Sequence, residues 1–125
     1  MDLTPLIPGD RRLVESYGDG GFRISGTRYE GSVLVFPDRA ELWAPRAFAE
    51  ISLESLAPVS REGSGVELLL VGCGPRLQLL PGPLRGALRE RGVAVEPMDT
   101  GAACRTYNVL MAEGRQVAAA LIALE

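Results

Sequence analysis

Val66-Glu67-Leu68-Leu69-Leu70-Val71-Gly72-Cys73-Gly74-Pro75 begins the segment that decides the fold. It is a nearly unbroken apolar run closed by a glycine-rich turn, the pattern of a strand covered on both faces. Pro81-Gly82-Pro83 then opens a helix with Leu84, Ala87 and Leu88 on one stripe, and Gly92 closes it as a C′ residue. Val93-Ala94-Val95-Glu96 resumes as a strand. Strand, helix and strand within about 30 residues make a βαβ unit, so the two strands are expected to lie parallel. Beyond them, Asp99-Thr100 forms an N-cap pair for a helix running to about Glu113 and stopped by Gly114, and Gln116 to Leu124 reads as a final strand.

Upstream of Val66 the period is two. Phe22-Arg23-Ile24-Ser25 alternates, Gly26 permits a bend, Thr27-Arg28-Tyr29-Glu30 continues, and Val33-Leu34-Val35-Phe36 turns through Pro37-Asp38-Arg39 into Glu41-Leu42-Trp43. The first half is therefore expected to be a β meander. Residues 1–20, rich in proline and glycine, read as an irregular arm that wraps the domain, with at most a short strand near Arg12 to Ser16. Between Pro45 and Pro58, the Ser52/Ser55 and Leu53/Leu56 spacings allow a short helix that Pro58 ends. Glu62-Gly63-Ser64-Gly65 is a loop inside one domain, residues 1–125, because the roughly 60 residues on either side would be marginal alone.

Composition bounds the chemistry. The chain contains no histidine and no lysine, which removes the commonest general base, the commonest transition-metal ligand and the Schiff-base amine together. All 13 positive charges are arginine, and the net charge of −3 argues against nucleic acid, whose phosphates call for a basic surface. Apolar runs such as Val117 to Leu124 fall far short of the ~20 residues needed to cross a bilayer. Met1-Asp2-Leu3-Thr4-Pro5 places an acid and a proline where a signal peptide needs positive charge, so a cytoplasmic protein is expected. The two cysteines fit no zinc spacing and read as free thiols, and neither metal nor cofactor is expected.

If the two strands of the βαβ unit are parallel, Gly72-Cys73-Gly74 and Asp99-Thr100-Gly101 open side by side at their carboxyl ends, where open α/β sheets hold ligands. The small residues Gly101, Ala102 and Ala103 in the first turn of the second helix leave backbone N–H groups accessible to an anion, with Arg105 close by; tight packing on the sheet explains them as well. At 100° per residue, Ala102, Thr106, Val109 and Leu110 form the stripe expected to face the sheet, which puts Cys104 and Asn108 on the far side. A thiol at Cys104, beside Arg105 and near a helix N-terminus, would have its thiolate favoured. The candidate ligand residues are Gly72, Cys73, Gly74, Thr100, Gly101, Cys104, Arg105 and Asn108; no catalytic residue is assigned. Gly72-Cys73-Gly74 is not a dinucleotide fingerprint, because Pro75 follows and Leu77 stands where the third glycine belongs.

Met98-Asp99-Thr100-Gly101-Ala102-Ala103-Cys104-Arg105-Thr106-Tyr107-Asn108-Val109-Leu110, with Glu113-Gly114-Arg115 and Val117-Ala118-Ala119-Ala120-Leu121, resembles the Mth-type domain family. Gly21-Phe22-Arg23-Ile24-Ser25-Gly26, Tyr29-Glu30-Gly31-Ser32, Trp43 and Leu68 to Gly74 support the likeness. The family is largely of unknown function and includes an adipogenesis-associated protein and the third of the mitochondrial complex I assembly factors. The resemblance implies a three-layer α/β fold: a central mixed sheet of about five strands, a β-hairpin layer and helices on the other side, the last strand running antiparallel to most of the sheet. It also implies assembly of a respiratory complex through protein contacts, without established enzymatic activity. The family's usual threonine at Cys73 argues against catalysis by that thiol, and no mitochondrial leader is expected here.

The expected function is therefore a non-enzymatic domain that binds a protein partner, with Arg23, Arg28 and Tyr29 on the meander and Arg105 and Asn108 on the polar helix face as contacts, since arginine and tyrosine are enriched in interface hot spots. The alternative is a small-molecule or anion-binding protein, or an enzyme, at the Gly72 to Gly74 and Thr100 to Arg105 edge. An exposed strand edge leaves a homodimer open.

Overall fold

The computed structural model describes residues 11–125, so the first half of the expected arm lies outside the described residues. The rest of that arm is more regular than its composition suggests, because β1 spans Val14–Gly18. It pairs with β2 (Gly21–Ile24), which pairs with β3 (Thr27–Glu30), giving an antiparallel three-stranded sheet. Both turns are two-residue loops, Asp19-Gly20 and Ser25-Gly26, with positive φ at each residue, the geometry that matches the twist of a hairpin.

The meander does not continue past Glu30. At Gly31-Ser32 the chain leaves the first sheet, and the hairpin β4 (Val33–Phe36) and β5 (Arg39–Leu42) joins a second one. Period-two alternation cannot report this split, since it gives the faces of a strand and not its neighbours. The junction is fixed by Ser32, whose carbonyl accepts from the Trp43 N–H at 2.9 Å and whose hydroxyl accepts from the Ala123 N–H at 3.1 Å.

The second sheet has the order β5-β4-β8-β6-β7, with β6 at Leu68–Gly72, β7 at Ala94–Met98 and β8 at Val117–Leu121. The βαβ expectation holds: β6 and β7 are parallel and joined through α2 (Gly82–Glu90). The expected direction of the last strand does not hold. β8 runs parallel to β6, and β4 is the strand that opposes its neighbours. The crossover through α3 (Thr100–Ala112) carries the chain from β7 past β6 and back into the same direction.

Two cores result, one on each face of the central sheet. Alternation along β4 sends Leu34 and Phe36 to one, with Trp43, Leu84 and Leu88, and Val33 and Val35 to the other, with Phe22, Ile24 and Tyr107. The three-stranded sheet and α3 share the second face, while α2 covers the first. α1 (Ala57–Ser60) also packs on the first face through Val59. Pro58 does not end a helix there; it sits in the first turn of α1, where its missing N–H has no intrahelical partner to lose.

The outer edge of β7 is closed to pairing. The Ala94 N–H points toward β6, donating to Glu67 at 2.9 Å, so Val95 and Pro97 face outward. Pro97 has no N–H, and the Val95 carbonyl accepts from Arg85 at 3.4 Å. The free edge of β1 is covered differently. The Asn108 amide on α3 receives the Val14 N–H at 2.9 Å and donates to the Val14 carbonyl at 2.8 Å, standing in for a neighbouring strand. Replacing Asn108 with Ala is expected to cost about 1–3 kcal/mol, the penalty for leaving such groups unpaired. Denaturant unfolding measures the loss, and hydrogen exchange at the Val14 amide is expected to accelerate.

Candidate functional site

Gly72 ends β6, Met98 ends β7 and Leu121 ends β8, so three parallel strands deliver their carboxyl ends to one edge. The Gly72-Cys73-Gly74 and Asp99-Thr100-Gly101 loops meet there, as the sequence predicts. What joins them is a hydrogen-bonded knot around Thr100, which is fully buried. The Gly74 N–H donates to Thr100 Oγ1 at 2.9 Å, and that hydroxyl donates to the Ile122 carbonyl at 2.8 Å. The Thr100 N–H donates to Gly74, the Cys73 N–H to Met98 and the Ile122 N–H to Gly72, all within 3.0 Å. Gly72 makes this approach possible, because a Cβ there would lie 3.0 Å from Thr100 Cα.

Of the donors expected to meet an anion, the Ala102 and Ala103 N–H groups are already engaged. Asp99 caps α3 by accepting from the Ala102 N–H at 2.9 Å, and its carbonyl takes the Ala103 N–H at 3.0 Å. The small residue at Gly101 makes room for a side chain: Tyr17 places its hydroxyl 2.6 Å from where a Cβ would stand. Arg105 donates to that same hydroxyl at 3.0 Å. Tyr17 was not among the candidates, because nothing local to β1 signals a partner 88 residues away.

Two helical positions need correction. Cys104 is buried against the second core, and Asn108 faces β1 rather than solvent or a pocket. The buried stripe of α3 is Thr100, Ala103, Cys104, Tyr107 and Met111, and Val109, expected inside, is exposed. Hydropathy misplaced the stripe because Tyr107 has a polar end with a buried destination: its hydroxyl donates to the Arg12 carbonyl at 3.0 Å. Burial also reverses the thiolate expectation. Desolvation pushes the Cys104 thiol up from 9.0 to about 12, against the opposing pull of Arg105. Cys73 is likewise raised by burial, and its thiol donates to the Gln78 carbonyl at 3.3 Å.

The candidate partner residues divide. Arg23 and Arg28 are cross-strand neighbours on one face of the small sheet, while Tyr29 points the other way and packs against the second core. Arg28 bridges to the Gly18 and Asp19 carbonyls at 3.2 and 2.9 Å, lying over Gly21. Arg23 pairs weakly with Glu15 at 3.8 Å and keeps about half of its side chain in solvent.

Beside the knot, on the side of the Cys73-Gly74-Pro75 turn, lies an open cleft of about 730 Å³. Arg46, Phe48, Gln78, Ile122 and Leu124 contribute to its wall. Sequence reading placed Cys73 and Gly74 here, but it had no way to bring Arg46 and Phe48 to them from a segment without clear periodicity.

A family described as "Protein of unknown function (DUF498/DUF598)" matches residues 14–122. A Xenopus tropicalis protein named NADH dehydrogenase [ubiquinone] 1 alpha subcomplex assembly factor 3 is 38% identical over 110 residues, covering 88% of this chain and 60% of that protein. The chain therefore spans somewhat less than two thirds of that relative. Among solved structures, a Bartonella henselae protein described as an outer membrane protein superposes with a TM-score of 0.86 at 38% identity, covering 94% of this chain and 98% of the other. A Bordetella pertussis protein described as a Mth938-like domain gives 0.79 at 34% identity, covering 97% and 91%.

Thr100→Val leaves the Gly74 N–H and the Ile122 carbonyl buried without their partner, and a loss of about 2–4 kcal/mol is expected in chemical denaturation, largely restored by Thr100→Ser. Alkaline pH gives a second test. The unfolded chain releases the Cys104 proton near 9.0, whereas the folded chain holds it to about 12, so the stability this thiol contributes is lost between those values. Unfolding free energy is expected to fall as pH rises above 9, and Cys104→Ala is expected to flatten that slope by about 1.4 kcal/mol per pH unit.

Proposed function

The chain belongs to the DUF498/DUF598 family, and on that premise we propose that it is a non-enzymatic domain that binds a protein partner and assists the assembly or stabilisation of a respiratory-type complex. The observation that carries this reading is the 38% identity, over 110 residues, with a protein named as an assembly factor of NADH dehydrogenase. The strand-end chemistry supports it. The backbone donors of the Cys73, Gly74, Thr100, Ala102 and Ala103 positions are engaged within the protein, and both thiols are held protonated by burial. A nucleophile or an oxyanion site would need those groups free.

The surface best suited to a partner is the outer face of the three-stranded sheet around Arg23. Its side chain is about half exposed, loosely paired and set on a hydrogen-bonded strand pair, so a partner can reach it. Arg28 supports that surface by holding the Asp19 turn. No helix among the described residues is long and apolar enough to cross a membrane, and we place the domain in the cytoplasm, acting on its target from the aqueous side.

Deleting the protein from its own cells tests the assembly role. The expected outcome on native gels is a several-fold fall in assembled respiratory NADH dehydrogenase, restored by the wild-type chain and not by Arg23→Glu, which preserves the fold. An unaltered amount of complex in the deletion strain overturns the assembly reading; full rescue by Arg23→Glu moves the contact surface elsewhere.

A further inference from the structure

We propose that β3 is the edge through which two copies of this chain pair, antiparallel about a two-fold axis at Tyr29, joining their small sheets into one of six strands. The pairing is independent of the assembly role, and its tests leave Arg23 untouched. An unpaired strand edge offers a row of N–H and C=O groups to another chain, and folded proteins blunt such edges. Among the described residues, β7 is blunted by Pro97 and Arg85, and β1 by the Asn108 amide. β3 has neither device: it ends its sheet, with three of its four residues exposed.

The bonding direction of this edge follows from its neighbours. The Gly31 N–H donates to the Gly20 carbonyl at 2.8 Å, and bonded and non-bonded rungs alternate along an antiparallel pair. Tyr29, opposite Phe22, therefore turns its backbone groups toward β2, and Arg28 and Glu30 turn theirs outward. Among the described residues no strand lies beyond them.

Charge chooses the register. Outward-facing residues must oppose outward-facing residues for their backbones to bond, which leaves three antiparallel registers within β3. One sets Arg28 against its own copy and another sets Glu30 against its own copy, and like charges directly opposite destabilise a pair. The third is centred on Tyr29 and sets Arg28 against the partner's Glu30 twice. Each of those two rungs exchanges two backbone hydrogen bonds. The arginine is already held in place: its guanidinium lies over Gly21 and donates to Gly18, Asp19 and Glu30 at 3.2, 2.9 and 2.9 Å. Arg23 is its cross-strand neighbour, so the partner's Glu30 adds an acid to the end of a row of two arginines. At the axis the two Tyr29 residues form the closer, non-bonded kind of rung, with Cα atoms about 4.5 Å apart.

The edge of the central sheet at β5 suits a second copy less well. The Trp43 N–H donates to the Ser32 carbonyl, so by the same alternation Ala40 and Leu42 face outward. Opposing Arg39 to the partner's Glu41 centres the pairing on Ala40, where one rung supplies two bonds and the next falls on Asp38 in the turn. Two strands as short as β3 bury less than the ~1,200 Å² of a standard interface, so the dimer forms weakly and depends on concentration.

Dilution of the ¹⁵N-labelled full chain from about 1 mM to about 0.05 mM, the range in which weak interfaces dissociate, tests the pairing. The Arg28 and Glu30 amides are expected to move with concentration, and a mixture of ¹³C-labelled and unlabelled chains to show a contact between the Tyr29 Hα protons of two copies. Glu30→Pro removes an outward N–H without breaking the bonds between β2 and β3, and Glu30→Arg opposes two arginines. Each is expected to keep the monomer's spectrum and to weaken association about tenfold or more; Glu30→Arg carries the test if the proline disturbs the hairpin. Ala40→Pro, the matching change on β5, is expected to leave association unaltered. Spectra that do not change with concentration, or association undiminished in Glu30→Arg, overturn the proposal. Association lost in Ala40→Pro and kept in the Glu30 variants overturns it in favour of β5.

Discussion

The hydroxyl of Thr100 is the point on which this structure turns. It accepts from the Gly74 N–H at 2.9 Å and donates to the Ile122 carbonyl at 2.8 Å, with no solvent exposure. One side chain thereby ties the exit of β6, the entry to α3 and the exit of β8. A buried polar group is tolerated only when its bonds are complete, and the unbonded alternatives here would each carry the full cost of desolvation. The requirement passes to Gly72, which must lack a side chain for Thr100 to come this close. Register at the edge follows from this contact: β6, β7 and β8 end level because their terminal residues are bonded to one another.

The same knot explains why, at a position that holds ligands in many α/β proteins, the Cys73, Gly74 and Thr100 backbone donors are engaged here. The loops after β6 and β7 leave toward opposite faces, α2 on one and α3 on the other, which is the arrangement that opens a crevice in a doubly wound sheet. Thr100 fills that crevice from below and Tyr17 covers the first turn of α3 from the small sheet. The space available to other molecules is displaced toward the first core, where Arg46 and Phe48 meet the Gly74 turn. The outer face of the small sheet and this cleft therefore occupy different parts of the fold and draw on different residues.

Helix α3 shows how tertiary contacts redirect residues whose local chemistry points elsewhere. Beside an arginine and near a helix N-terminus, Cys104 would favour its thiolate by amounts of order 1 kcal/mol, yet burial outweighs both influences and the thiol stays protonated. Asn108 is polar and so reads as solvated, but its amide has the donor and acceptor that a bare strand edge lacks. Tyr107 anchors its ring in the second core and its hydroxyl on Arg12. Each case has the same cause: a polar atom counts as exposed in a hydropathy pattern, whereas in the folded chain it can reach a backbone group distant in sequence.

The sequence by itself determined the parts whose signals are local: the continuous apolar run of β6, the Gly92 and Gly114 helix stops, the Asp99 cap, the parallel βαβ unit and the family likeness carried by Met98 to Leu110. It also brought the Gly72 to Gly74 and Thr100 loops to one edge, because parallel strands leave no other choice. Only the tertiary structure decided that the meander splits at Gly31-Ser32, that β8 runs with β6, that α3 rotates its buried stripe onto Cys104 and Tyr107, and that Arg46 reaches the Gly74 turn. The physical reason is range. Periodicity and capping depend on neighbours a few residues apart, whereas sheet order, helix rotation and cleft walls depend on which distant groups can satisfy one another's hydrogen bonds and apolar surface.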